Sequence, residues 1–254
     1  QTRYCGTRYH YYDTYATMIE RGIPFTIIPA THDGTMEGKP IFMTEETLAQ
    51  KIMEQGTYTF SAQMLLNPVP DGSTKLNPED IQYYDDPEDV PLIRNVYLVC
   101  DPANEGSKQS DYTTMLALGY DEVGDLWLLD GIHDKVGLGR RWNLVCDLSR
   151  ENSVCMVGYE KYGMQADLEY FDMELKRGNG RCPGIKVLGG VQSKRDRILR
   201  ITPLLEQRRI HFPRTLKKVS YFDNREYDLT QVLVQEITDF PFGKHDDAID
   251  ALSR

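Results

Sequence analysis

No stretch of this 254-residue sequence approaches the roughly 18 consecutive apolar residues that a membrane-spanning helix needs, so no membrane partner is expected. Cysteine is sparse. The five residues Cys5, Cys100, Cys146, Cys155 and Cys182 are odd in number, and none stands in C-x-x-C or Cys/His ligand spacing. Neither a disulfide framework nor a zinc site is expected, and the thiols read as reduced. Positive charge is short as well: 29 Lys and Arg stand against 39 Asp and Glu, a net of −10. That excludes a generally basic nucleic-acid coat, but not a local basic track or a metal site built from carboxylates. Missing motifs narrow the chemistry further. Without a G-x-x-x-x-G-K-[ST] loop these residues do not hydrolyse ATP in the usual way, and the G-x-S-x-G and H-E-x-x-H patterns are also absent. There is no internal repeat and no low-complexity tract.

What is present is ordinary for a soluble globular protein, with 40% hydrophobic and 27% charged residues. The length allows one large domain or two small ones. The sequence opens at Gln1 without Met and closes at Arg254 inside a helical pattern, which suggests a piece of a longer protein. Residues 1–30 read as the last strand, helix and strand of an α/β layer, with Pro24–Pro29 as the final strand. Arg8, His10 and Asp13 read there as a polar loop, with a catalytic role as the alternative. Residues 31–92 read as a linker subdomain. Thr44-Glu-Glu-Thr47 caps a helix running to Gln55, Gly56 ends it, and a second helix over Tyr58–Leu66 stops at Asn67-Pro68. A turn follows at Val69–Gly72, and the acidic run Asp85–Asp89 reads as a solvated boundary segment.

Residues 93–254 carry a clearer pattern. Val96–Cys100, Thr113–Tyr120 and Leu126–Leu129 are strands of an antiparallel meander, with the loop Asn104–Asp111 after the first. Alternation follows: helix Leu138–Glu151, strand Val154–Tyr159, helix 165–176, strand Ile185–Leu188, helix 194–207, strand Arg209–Phe212, helix 228–237 and a last helix from Lys244. Three antiparallel strands followed by alternating helices and strands make an α/β fold with a mixed sheet.

Three acidic sites fall at the ends of these elements. Asp101 closes the first strand and Pro102 stops the ladder there. Glu160 closes the strand Val154–Tyr159. The segment His245-Asp-Asp-Ala-Ile-Asp250 opens the last helix, with Asp246 and Asp250 on one face and Asp247 on another. If the two strands are parallel neighbours, their carboxylates emerge at one sheet edge, where α/β folds place their sites. Carboxylates gathered there repel unless a cation joins them. All-oxygen ligation suits Mg²⁺ or Mn²⁺, and two such ions about 4 Å apart serve phosphodiester hydrolysis. Each acid also has a plainer reading, as a strand-end residue or a helix-dipole acid. Between Lys194 and Lys218 the sign of the charge reverses: Lys194, Arg195, Arg197, Arg200, Arg208 and Arg209 lead a basic stretch of the kind that meets phosphates, with a solvated helix face as its plainer reading. Lys135, Arg140 and Arg141 are possible additions.

These motifs together resemble one family, the large subunit of tailed-bacteriophage DNA-packaging terminases, in its C-terminal nuclease. Asp101-Pro-Ala103 is similar to the family's first metal-ligand motif, Ser110-Asp111-Tyr112 to the start of its second strand, Gly158-Tyr-Glu160 to the second acidic site and His245–Ala251 to the third. Thr57–Pro68 resembles the linker before the nuclease, and Gly6-Thr-Arg-Tyr-His10 the end of the ATPase domain. The resemblance implies a ribonuclease H-like fold at 93–254, after an ATPase remnant at 1–30 and the linker at 31–92. It implies a metal-dependent endonuclease cutting concatemeric double-stranded DNA, with Asp101, Glu160 and Asp247 as catalytic ligands of two Mg²⁺ or Mn²⁺ ions. Asp246 is a possible fourth ligand and Asp250 a weaker candidate. The implied partners are double-stranded DNA, the portal protein and the small terminase subunit, in a ring formed only on the procapsid, in the cytoplasm of an infected bacterium. A non-catalytic portal-docking module, and a resolvase or transposase of the same fold, remain as alternatives.

Overall fold

The computed structural model describes residues 3–68, 76–103, 112–161, 165–190 and 192–254. The turn at Val69–Gly72, the loop Asn104–Asp111 and with it Ser110 and Asp111 lie outside the described residues. The chain divides into two compact units, Gln1–Leu76 and Asn77–Arg254.

In the first unit, α1 (Thr14–Glu20) begins where Asp13 caps it, accepting a hydrogen bond from the Ala16 N–H at 2.9 Å. Arg8 Nε pairs with the same carboxylate at 2.9 Å, so Arg8 and Asp13 build a helix cap. The expected strand over Pro24–Pro29 does not form: the segment has no ladder partner among the described residues, and Phe25, Ile27 and Ile28 are exposed. A lone strand has nothing to satisfy its backbone. α2 (Glu45–Gln63) starts at Thr44, whose Oγ1 accepts from the Thr47 N–H at 3.1 Å. It is broken at Gly56, where φ is +71° and ψ 164°. Only glycine adopts that conformation without strain, and the two expected helices are the two halves of this broken one. Leu48, Phe60 and Leu65 form a small core with Met36, Met43, Ile52 and Met64 packed against it.

The second unit begins with β1 (Gln82–Tyr84), so the exposed acidic run Asp85–Asp89 follows the first strand of the sheet. Asp85 is tied back by Arg214 at 2.6 Å. Next come β2 (Asn95–Asp101), β3 (Thr113–Tyr120), β4 (Leu126–Asp134), α3 (Leu138–Glu151), β5 (Met156–Glu160), α4 (Gln165–Arg177) and β6 (Ile185–Leu188). Then follow α5 (Lys194–Ile198), α6 (Thr202–Glu206), β7 (Ile210–Pro213), β8 (Lys217–Val219), β9 (Glu226–Asp228), α7 (Leu229–Asp239) and α8 (Asp247–Leu252). The expected helix 194–207 is thus two short helices joined by a tight turn at Leu199–Ile201, with Pro203 in the first turn of the second. Seven strands form one sheet in the order β1-β7-β4-β3-β2-β5-β6, and β8 pairs only with β9. β2, β3 and β4 are the antiparallel meander, while β5 and β6 run parallel to β2. This is a ribonuclease H-like α/β architecture: a mixed sheet flanked by helices.

Strand periodicity decides which side chains reach the site. Val96, Leu98 and Cys100 of β2, with Val157 and Tyr159 of β5, join a buried core with Trp142, Val145 and Leu148 of α3. Side chains alternate across a sheet, so Asp101 and Glu160 lie on the opposite face. That is the face on which α8 packs across β2 and β3.

Candidate metal centre

β2 and β5 pair in parallel with Cys100 opposite Tyr159. One residue further on, Asp101 and Glu160 end their strands side by side. α8 brings a third acid from across the edge. One carboxylate oxygen each from Asp101, Glu160 and Asp250 lie within 4.8 Å of one another, and Glu160 and Asp250 are buried. Two unit charges at that separation repel by about 3–4 kcal/mol at an effective dielectric constant near 20, so the cluster must be compensated.

Part of the compensation is supplied by arginine. Arg197 donates from Nε and Nη2 to the two oxygens of Asp250, at 3.0 and 2.6 Å. Arg254 Nη2 is in ion contact with Glu160 Oε1 and lies 3.9 Å from Asp250 Oδ2. Three acids against two guanidinium groups leave one carboxyl uncompensated, and Asp101 is the one whose proton affinity rises. Burial pushes its carboxyl up to about 8, helped by the charge of Glu160, a hydrogen bond with Glu160 and the charge of Asp250. A hydrogen bond between two carboxyl groups requires a proton on one of them. A hard divalent cation relieves the same crowding, and the donor set, carboxylate oxygens only, suits Mg²⁺ or Mn²⁺. The residues present therefore fit the ion that the resemblance implies.

The remaining acids of α8 do something else. Asp247, the expected third ligand, accepts from Lys194 Nζ at 2.8 Å, and Asp246 pairs with the same ammonium at 2.5 Å. Burial opposes the charge on Lys194, but these two acids outweigh it and raise its proton affinity. The three acids that the geometry gathers are Asp101, Glu160 and Asp250, where the sequence reading has Asp247 as the third. Asp250 stands beside Asp101 and Glu160, whereas Asp246 and Asp247 turn toward α5. Lys194 and Arg197 are three apart on α5, and Asp247 and Asp250 three apart on α8, so the two helices are clipped by two parallel ion pairs.

The basic stretch is largely used internally. Lys194 and Arg197 hold acids of α8, and Arg209 Nε pairs with Asp125 at 2.8 Å. Arg208 is exposed with Asp80 at 3.9 Å, Arg200 is exposed and Arg195 is half-buried. Three of these six residues are thus engaged by acids of the same chain, while Arg200 and Arg208 stay exposed. Arg141 is fully buried against Asp167 at 2.6 Å. Lys135 and Arg140 lie over aromatic rings, Lys135 at 5.1 Å from Tyr112 and Arg140 at 4.8 Å from Tyr221. Beside the centre, His133 stacks on Tyr112 at 4.4 Å, and its Nδ1 shares a hydrogen bond with Thr114 Oγ1 at 2.8 Å. Burial pulls this imidazole down to about 4. Sequence reasoning missed His133, Arg254 and Glu236 here. Only Arg254, one turn beyond Asp250, has a spacing that could have signalled its part.

No protein-family profile and no curated protein matches the sequence. Solved structures do match. The large terminase of a thermophilic bacteriophage aligns with a TM-score of 0.52 at 13% identity, over 84% of this chain and 50% of that one. The human cytomegalovirus terminase nuclease domain aligns at 0.47 and 16% identity, over 63% of this chain and 79% of that one. The fowlpox virus Holliday junction resolvase aligns at 0.33 and 14%, over 62% and 92%. The chain spans half the length of the phage protein. Among the described residues no helix is long and apolar enough to cross a membrane. At these identities the likeness is one of fold, and that fold is shared with a viral large terminase.

Proposed function

We propose that this chain carries a divalent-metal-dependent DNA endonuclease of a viral genome-packaging terminase, cutting concatemeric double-stranded DNA by phosphodiester hydrolysis. The observation that carries the reading is the meeting of Asp101, Glu160 and Asp250 within 4.8 Å at the C-terminal edge of β2 and β5. These three acids are the proposed ligands. Bound divalent ions would supply activation of water and stabilisation of the departing 3′ oxygen. The chain's own part is to hold the three carboxylates together. Arg197 and Arg254 neutralise two of them, and the strand ends and α8 fix their spacing. Lys194, held by Asp246 and Asp247, places a positive charge close to where a scissile phosphate would dock. On this reading residues 1–30 belong to the end of an ATPase domain and the following segment to its linker. Portal and small-subunit contacts belong to the longer protein.

The test is cleavage of supercoiled plasmid in Mg²⁺ or Mn²⁺. The wild-type chain is expected to cut, and Asp101→Asn, Glu160→Gln and Asp250→Asn to lose cutting. Undiminished cutting by any of the three removes that residue from the site. A chain that neither cuts nor binds a divalent ion is a docking module instead. A marked preference for four-way junctions over plasmid favours a resolvase.

A further inference from the structure

Glu236 stands in the last turn of α7, is 5% exposed and has no part in the reading above. Its Oε2 accepts from the Ile249 N–H at 2.9 Å, and the Ala248 N–H beside it favours the charged form of the carboxylate. These are first-turn donors of α8, which a helix cannot satisfy internally. Asp246, at the N-cap position, makes no side-chain capping bond. Ala248 and Ile249 are completely buried, so solvent does not substitute. The cap of α8 therefore comes from another helix, and the residue after Ile249 is Asp250.

We propose that Glu236 is a positioning residue for the metal centre: by holding the Ile249 N–H group it sets the rotation and depth of α8, and so brings the Asp250 carboxylate to Asp101 and Glu160. Asp250 is then held from two sides, its carboxylate by Arg197 and the N–H of the preceding residue by Glu236. A helix turns 100° per residue, so a small rotation of α8 carries Asp250 out of reach of the other two acids. Glu236 Oε1 is buried and has no hydrogen-bond partner among the described residues. The proposal rests on the metal-site reading, and its failure can be told apart from the failure of that reading.

The experiment is calorimetric titration of the full chain with Mn²⁺ alone, without DNA, at matched folded fraction by circular dichroism. Wild type is expected to bind and Asp250→Asn to lose binding. Glu236→Ala is expected to bind about 10–100-fold more weakly, the usual effect of removing an outer partner of a ligand. Glu236→Gln keeps an acceptor at the same reach and should stay within a few-fold of wild type. Glu236→Asp keeps the acceptor but draws α8 toward α7, so it should fold and still lose affinity, which covers the case in which Glu236→Ala does not fold. Wild-type Mn²⁺ affinity in folded Glu236→Ala or in Glu236→Asp overturns the proposal and leaves Glu236 a structural cap. Absence of Mn²⁺ binding by wild type, or binding undiminished in Asp250→Asn, overturns the metal site itself.

Discussion

The second unit buries carboxylates at both ends of its sheet, and the two ends treat them oppositely. At the start of β4, Asp121 accepts from the Val123 and Asp125 N–H groups at 3.0 and 2.9 Å and from Trp127 Nε1 at 3.0 Å. Burial raises its proton affinity, but these donors outweigh burial and the net shift is downward. Its neighbour Asp125 is paired with Arg209 at 2.8 Å and His211 at 3.1 Å, and His211 stacks on Trp127 at 3.9 Å. At the end of β2, Asp101 meets two other acids, and its carboxyl rises to about 8. Both regions combine acids, arginine and histidine. The difference is whether each carboxylate faces donors or other carboxylates. An acid served by donors keeps its charge, while one crowded by acids gains proton affinity.

The strongest way to break this comparison is to neutralise one acid at each end. Asp101→Asn should lower Mn²⁺-dependent plasmid cutting at least about 100-fold, since loss of even an outer partner of a metal ligand costs 10–100-fold. Asp121→Asn should leave the cutting by folded protein unchanged. Denaturant unfolding sharpens the contrast: Asp121→Ala leaves buried donors unmade and should lower stability by about 1–3 kcal/mol, with unchanged Mn²⁺ affinity by calorimetry.

Acidity separates the ends next. Between about pH 4 and pH 8 folded, metal-free protein holds a proton at Asp101 that the unfolded chain, with a carboxyl near 3.8, has released. Stability therefore falls as pH rises across that window. Thermal melts without metal should show the fall, Asp101→Asn should flatten it, and the variant's melting temperature should exceed wild type most above pH 8. Saturating Mn²⁺ should also flatten the wild-type profile, because binding expels the proton. The smallest effect concerns the basic stretch. Arg200→Ala, at an exposed side chain, should weaken DNA binding uniformly across sequences and reduce its salt dependence by about one charge. Arg209→Ala should instead loosen the start of β4, seen as a lower melting temperature with unchanged salt dependence.

The sheet was readable because strands advertise themselves twice, by apolar runs and by the residues that stop them. Val96–Cys100 ended by Asp101-Pro102, and Val154–Tyr159 ended by Glu160, predict two strand ends, and the pairing of β2 with β5 brings those ends together. The same logic failed at Pro24–Pro29, where an apolar run has no neighbouring strand. Along Lys194–Arg209 the reversal of charge in the sequence includes ion pairs with α8 and with Asp125. Charge counts record how many cations a segment has, but not which acids face them.

By itself the sequence determined most of the order of elements from β2 to α8, that Asp101 and Glu160 close their strands, and that further acids open the last helix. A period of two leaves a strand residue only two directions, and burial of alternate residues selects one. Which of Asp246, Asp247 and Asp250 joins the centre was decided only in three dimensions. At 100° per residue Asp246 and Asp250 return to one side of α8 while Asp247 points to another, and of the three it is Asp250 that lies within 4.8 Å of Asp101 and Glu160. The rotation of that helix is set by its packing on β2 and β3 and by Glu236 and Arg197, which lie 14 and 53 residues away from Asp250 along the chain.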